Sequence, residues 1–270
     1  MSSRIAQKFA ELKDQNRSAL ITYITAGDPD TEATLNYMQT LTDAGTDIIE
    51  LGMPFSDPMA DGPVIQRASE RALQAGMTLS KVIELVSDFR RVDDKTPIIL
   101  MGYLNPVESM GYSEFSSRAA VAGVDGVLIV DSPPEESKEL NAALRDKLLD
   151  QIFLISPNSN EQRIAAASEL GGGFIYYVTV KGVTGSATLD VVAVGTKINA
   201  FRDGVALPIG VGFGIKTPQH AASVAQISDA VIVGSALVEV VESTSGDLGA
   251  ATKQLANKVK SFSQAMVKHT

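Results

Sequence analysis

Residues 47–63 read Asp47-Ile48-Ile49-Glu50-Leu51-Gly52-Met53-Pro54-Phe55-Ser56-Asp57-Pro58-Met59-Ala60-Asp61-Gly62-Pro63. An apolar strand ends on a carboxylate, and a loop rich in Gly and Pro follows with two more carboxylates, Asp57 and Asp61. A buried strand has little use for Glu at its end unless that residue faces a pocket. Two acids brought to one pocket from different backbone segments can hold different pKa values. One then donates a proton while the other stays charged.

The same strand-then-turn pattern recurs along the chain. β-branched, apolar runs occupy residues 19–25, 47–51, 97–101, 126–130, 152–155, 174–180, 208–211 and 230–233. Helix-period segments follow at 31–44, 79–89, 112–122, 134–147, 161–170, 189–202, 218–226, 237–241 and 247–267. Residues 3–16 add an N-terminal amphipathic helix with Ile5, Phe9 and Leu12 on one side. The apolar runs are near-continuous rather than alternating, so both faces of the sheet must be covered and the sheet is parallel. Eight βα units in about 250 residues match a (β/α)8 TIM barrel. The expected architecture is therefore one (β/α)8 domain over 1–270 with an extra N-terminal helix, and a doubly wound open sheet is its rival. No linker-like stretch suggests a boundary. Pro134, Glu135 and Glu136 read as a helical first turn.

Composition narrows the chemistry. The formal charge is −9 and the pI is about 4.8, which argues against non-specific binding to nucleic acid or anionic membrane. There is no cysteine, so disulfides, thiol nucleophiles and thiolate-bound metals are excluded, and two histidines make a His-rich metal site implausible. No apolar run reaches the roughly 18–20 residues that span a bilayer, and no secretory core precedes the first strand. A cytoplasmic location is the expectation.

The last three units carry a second signal. Lys181-Gly182-Val183-Thr184-Gly185-Ser186, Gly210-Val211-Gly212-Phe213-Gly214 and Gly234-Ser235 end three successive strands. Glycines let backbone amides approach an anion, and a helix N-terminus points its amides at it. Phosphate sites of barrels form in these loops. Each Gly turn also suits a plain tight connection, but three in succession favour an anion site. Tyr23, Tyr103, Tyr176, Tyr177 and Phe213 lie near strand ends, where aromatic rings wall a flat substrate or fill core. Asp131 reads as a site support or a helix cap, and Asp28 as a turn or capping residue.

With these residues in view, the chain resembles the tryptophan synthase α-subunit family along nearly its whole length. The resemblance rests on Glu50-Leu51-Gly52, Pro54-Phe55-Ser56-Asp57-Pro58, Ala60-Asp61-Gly62-Pro63-Val64-Ile65-Gln66 and Gly102-Tyr103-Leu104-Asn105-Pro106. Gly182-Val183-Thr184-Gly185, Gly212-Phe213-Gly214 and Gly234-Ser235 match as well. The resemblance implies a lyase that reversibly splits indole-3-glycerol phosphate into indole and glyceraldehyde 3-phosphate. It implies Glu50 as acid–base catalyst and Asp61 as the carboxylate that stabilises charge on the indole nitrogen. It maps phosphate contacts onto Gly185, Gly214, Gly234 and Ser235, and an indole pocket onto Tyr23, Leu100, Tyr103, Leu128, Tyr176 and Phe213. Thr184 would close a loop over the site. Pro54, Phe55, Asp57, Pro58, Asn105 and Pro133 would lie at or near a β-subunit in an α2β2 heterotetramer. That partner would carry pyridoxal phosphate, this chain no cofactor and no metal. The alternative is another phosphate-binding barrel enzyme, of indole-glycerol-phosphate synthase or phosphosugar isomerase type, which usually needs a Lys or a different acid pair.

Overall fold

A computed structural model describes residues 3–179, 190–212, 214–244 and 246–267. Among them the repeating pattern closes on itself. β1 (Ala19–Thr25), β2 (Ile48–Gly52), β3 (Ile98–Gly102), β4 (Gly126–Ile129), β5 (Asp150–Ile155), β6 (Ile175–Val178), β7 (Ile209–Gly212) and β8 (Ala230–Val233) pair in sequence order. β8 returns parallel to β1, with Ala19 opposite Ala230 and Thr22 opposite Val233. That closing pair excludes the open sheet. The fold is a (β/α)8 barrel.

The helices are α1 (Arg4–Asp14), α2 (Thr31–Asp43), α3 (Pro63–Gln74), α4 (Leu79–Phe89), α5 (Leu104–Met110) and α6 (Tyr112–Ala122). They continue as α7 (Lys138–Asp146), α8 (Glu161–Leu170), α9 (Val191–Arg202), α10 (Pro218–Ala225), α11 (Ser235–Ser243) and α12 (Leu248–Ala265). Two of them, α3 and α5, were not expected from the sequence. Both begin in Pro-marked stretches that read as loop. Pro63 sits at the first position of α3, and Pro106 is the third residue of α5. A first-turn amide has no intrahelical partner, so proline costs little there. Conversely, the expected first turn at Pro134 is not helical. The Ser137 hydroxyl bonds to the carbonyls of Ser132 and Pro133, and α7 starts only at Lys138. Ordinary caps begin other helices: Asp30 Oδ1 accepts from Ala33 N–H at 2.7 Å, and Thr78 Oγ1 accepts from Lys81 N–H at 3.3 Å.

Side chains along each strand alternate between two buried layers. Leu20, Ile49, Leu51, Leu100, Val127, Phe153, Tyr177, Val211 and Val231 face the helices and join one large core. Ile21, Ile48, Ile99, Leu128, Ile152, Phe174, Tyr176, Ala230 and Ile232 fill the barrel interior. Ile5, Phe9 and Leu12 of α1 join this inner cluster, with Phe9 5.8 Å from the Phe174 ring, so the extra helix plugs the N-terminal end. Only the C-terminal end is left open for chemistry.

The plugged end carries a repeated polar latch. Asp47, Asp125 and Asp229 each accept an amide of the neighbouring strand, from Leu20, Ile98 and Ile209, at 2.8 Å. Each also meets arginine: Arg17 on Asp47, Arg4 and Arg90 on Asp125, and Arg202 on Asp229. An unpaired strand amide would cost about 1–3 kcal/mol, and a charged acceptor satisfies it firmly.

Candidate active site

β2 delivers Glu50 to the open end of the barrel. The register places Glu50 beside Tyr23 of β1 and Ile99 of β3, so its side chain shares the inward face. It is 1% exposed, and Oε1 has no hydrogen-bond partner among the described residues. Burial without a compensating cation disfavours the anion, and the pKa is pushed up to about 8. At neutral pH Glu50 is therefore mostly the neutral acid.

Asp61 reaches the same cavity from the loop before α3. That loop is held by its own bonds: Asp61 N–H donates to Pro58 O at 3.0 Å, and Gln66 Nε2 donates to Asp61 O at 2.9 Å. Ala60 N–H donates to the Tyr103 hydroxyl at 3.0 Å, which anchors the loop to the end of β3. Burial raises the Asp61 pKa to about 6, and a hydrogen bond from Tyr103 opposes that rise. Asp61 is thus mostly ionised at pH 7 while Glu50 is not. Tyr23 and Tyr176 are buried within electrostatic reach of both. Burial lifts both phenol pKa values, and the charges of Asp61 and Glu50 raise each further. The two acids, eleven positions apart in the chain, act on the same two buried tyrosines.

The inner wall is aromatic and apolar. Tyr23 and Tyr176 are each 8% exposed, Tyr103 is 3% exposed, and Leu128 is fully buried among the inner residues. Leu100 is the exception among the expected pocket residues. It pairs with Leu51 and packs against the helices, because strand parity turns it away from Glu50. The inward residue of β3 near the mouth is Met101, which touches both the inner cluster and the small cluster of Tyr23, Ile65, Ala68 and Val238. Val130, Leu154 and Val178 line the same interior. Counting alternate residues across from Glu50 would have selected Met101.

Across β1 from Glu50, Gly234 is the N-cap of α11 and Ser235 its first residue. A Cβ on Gly234 would lie 3.4 Å from Tyr23 Cβ, which places this turn against the same cavity. Gly214 follows β7 at φ +78° with open space around it. Gly185, Thr184 and Phe213 lie outside the described residues.

Outside the mouth, Phe55 stacks on Tyr103 with ring centroids 5.4 Å apart. Phe55, Asp57, Pro58 and Met59 border a surface groove of about 350 Å³ with Gln66 and Glu70. Met59 is 86% exposed. Pro54 and Pro58 follow β2, Asn105 follows β3 and Pro133 follows β4, so all lie past the C-terminal ends of their strands; the three prolines are half-buried and Asn105 is exposed. Asp131 accepts the Leu104 amide at 2.8 Å and so supports the start of α5 rather than α7. Asp28 is a turn residue, as expected, its amide donating to Thr25 O at 3.4 Å, and its 3%-exposed carboxylate is paired with Arg71.

Fold and site together define a (β/α)8-barrel enzyme with its chemistry at the C-terminal mouth. Comparison with known proteins makes the class specific. The family model described as tryptophan synthase alpha chain matches residues 9–268. The chain is 54% identical over 249 residues to the tryptophan synthase alpha chain of Dechloromonas aromatica, covering 92% of this chain and 93% of that one. It is 53% identical over 269 residues to that of Thiobacillus denitrificans, covering 99% and 98%. A crystal structure of tryptophan synthase alpha chain from Legionella pneumophila superposes with a TM-score of 0.91 at 38% identity, covering 98% of each chain. The chain belongs to the tryptophan synthase alpha chain family. Among the described residues no helix is long and apolar enough to cross a membrane.

Proposed function

We propose that this chain cleaves indole-3-glycerol phosphate reversibly to indole and glyceraldehyde 3-phosphate. The observation that carries the mechanism is the buried Glu50, kept neutral near pH 7 with one carboxyl oxygen unpartnered in the barrel interior. The Glu50 carboxyl gives its proton to indole C3, which becomes tetrahedral and leaves a cation delocalised onto N1. The Asp61 carboxylate stabilises that cation through the N1–H. This interaction strengthens only as the reaction proceeds, so it lowers the barrier rather than the ground state. The Glu50 carboxylate then takes the proton of the side-chain hydroxyl next to C3. The C–C bond breaks, its electrons restore the aromatic indole, and the aldehyde is released. Glu50 ends as it began, protonated.

The phosphate sits at the N-terminus of α11, against Gly234 and Ser235, with Gly214 beside it. The indole ring lies among Tyr23, Met101, Leu128 and Tyr176. No lysine is buried among the described residues, which disfavours a barrel enzyme of the isomerase or synthase kind. The half-exposed Pro54–Pro58 rim with Asn105 and Pro133 docks a β-subunit that carries pyridoxal phosphate, in an α2β2 assembly in the cytoplasm. The exposed Met59 and the stacked Phe55 support an apolar contact there.

The test is release of indole from indole-3-glycerol phosphate, with and without an added β-subunit. Indole should form, and faster with the partner. No indole from either preparation would overturn the reaction, and equal rates would remove the partner. Glu50→Gln and Asp61→Asn should each lower turnover by about 10²–10⁴-fold.

A further inference from the structure

Two helices open at the mouth on either side of β1, and ion pairs tie them together farther along their length. α3 begins two residues after Asp61, and α11 begins at Ser235. Arg67 on α3 grips Glu242 on α11 through two bonds, of 2.6 and 2.8 Å. Arg71, one turn further, donates to Glu242 Oε1 at 3.0 Å. The same guanidinium forks onto both oxygens of the buried Asp28, at 2.8 Å each, in the loop after β1. Beside these pairs, Ile65 and Ala68 of α3 pack with Val238 of α11 and Tyr23. Arg71 and Glu242 lie eight and seven residues beyond the starts of their helices, about 10–12 Å from the site. The lattice touches no reacting group.

We infer that Glu242, with Arg67 and Arg71, acts as a positioning brace that sets the separation between Asp61 and the phosphate turn of α11. This rests on the function proposed above. The substrate spans that gap, with its phosphate on the α11 turn and its indole nitrogen at Asp61. A helix is stiff along its axis, so a slide of α11 against α3 changes the gap directly. A misplacement of about 1 Å between reacting groups costs about 10²-fold in rate. Half-exposed ion pairs contribute little to global stability, whereas a three-way clamp resists sliding. The arginines hold the Glu242 carboxyl down at about 2, Arg67 most of all, so the clamp stays charged across the working pH range.

The test compares wild type with Glu242→Gln and Arg67→Met, each assembled with a β-subunit. Four quantities are read: kcat and KM for indole-3-glycerol phosphate, the Kd of glycerol 3-phosphate, and Tm. Glycerol 3-phosphate contacts the α11 turn only. The expected result is a fall in kcat of at least about tenfold for Glu242→Gln, a Kd for glycerol 3-phosphate within about twofold of wild type, and a Tm loss of a few degrees. Glu242→Asp should recover part of the lost rate. Unchanged kcat in folded Glu242→Gln, or parallel weakening of glycerol 3-phosphate binding and turnover, would overturn the brace. Should Glu242→Gln fail to fold, Arg67→Met carries the test, and an unaltered kcat there overturns it equally. Wild type without turnover would instead sink the proposed reaction, a separate outcome.

Discussion

The Tyr176 ring crosses the bare backbone of Gly212, so closely that a Cβ on Gly212 would overlap the phenol oxygen. Tyr23 stands in the same relation to Gly52. Each tyrosine reaches across to a neighbouring strand, and the glycine supplies the room. Gly212→Ala must push Tyr176 into the cavity or out of its rotamer. We expect the protein to fold with a loss of about 1–3 kcal/mol, and indole release to fall by about 10²-fold. Denaturant melts and the indole assay check both. Wild-type turnover in Gly212→Ala would show that Tyr176 does not shape the pocket.

Glu50 makes stability depend on pH. Its folded pKa of about 8 lies above the ordinary value of 4.5. A raised pKa means that the folded state binds the proton more tightly. The associated stability is fully present below about pH 4.5 and is lost as pH rises through 8. Glu50→Gln removes this dependence. It should be more stable than wild type at pH 8.5, by on the order of a few kcal/mol, with the gap closing toward pH 4.5. Urea titrations at the two pH values decide it, and an equal gap at both would remove the buried-acid argument.

Catalysis requires Glu50 protonated and Asp61 charged. kcat/KM should therefore follow a bell with limbs near pH 6 and pH 8, the two raised values. Tyr103→Phe deletes a hydrogen bond that holds the Asp61 pKa down, so the acid limb should move upward. The basic limb, set by Glu50, should stay in place. A Tyr103→Phe profile that superposes on wild type would contradict the assignment of the acid limb to Asp61.

Asp125 belongs to stability alone. Its carboxylate holds Arg4, Arg90 and the Ile98 amide at the plugged end of the barrel. Asp125→Ala leaves the Arg90 guanidinium, only 10% exposed, without its buried partner. The expected cost is about 3–5 kcal/mol in denaturant unfolding, with kcat of the folded fraction unchanged. A matching loss in kcat would mean that the two ends of the barrel are coupled.

Much of this molecule could be read along the chain. The eight apolar runs are the eight strands, Ile5, Phe9 and Leu12 mark the plug, and Glu50 with Asp61 stood out in one loop. These are local signals, since the strand period and the punctuation by Gly and Pro are written within a few residues. The helices α3 and α5 were hidden for the same reason, because Pro63 and Pro106 look like loop until their place in a first turn is known. Leu100 was assigned to the pocket by position, and strand parity gives that place to Met101.

Tertiary structure decided what depends on distance between remote segments. The raised pKa of Glu50 needs walls from several strands. The pairing of Arg71 with Asp28 and Glu242 joins residues 43 and 171 positions apart. Residue order determined the barrel and supplied its acids, because hydrophobic period and turn chemistry act over short range. Desolvation and ion pairing act through space, so only the closed barrel could set the proton on Glu50 and the charge on Asp61.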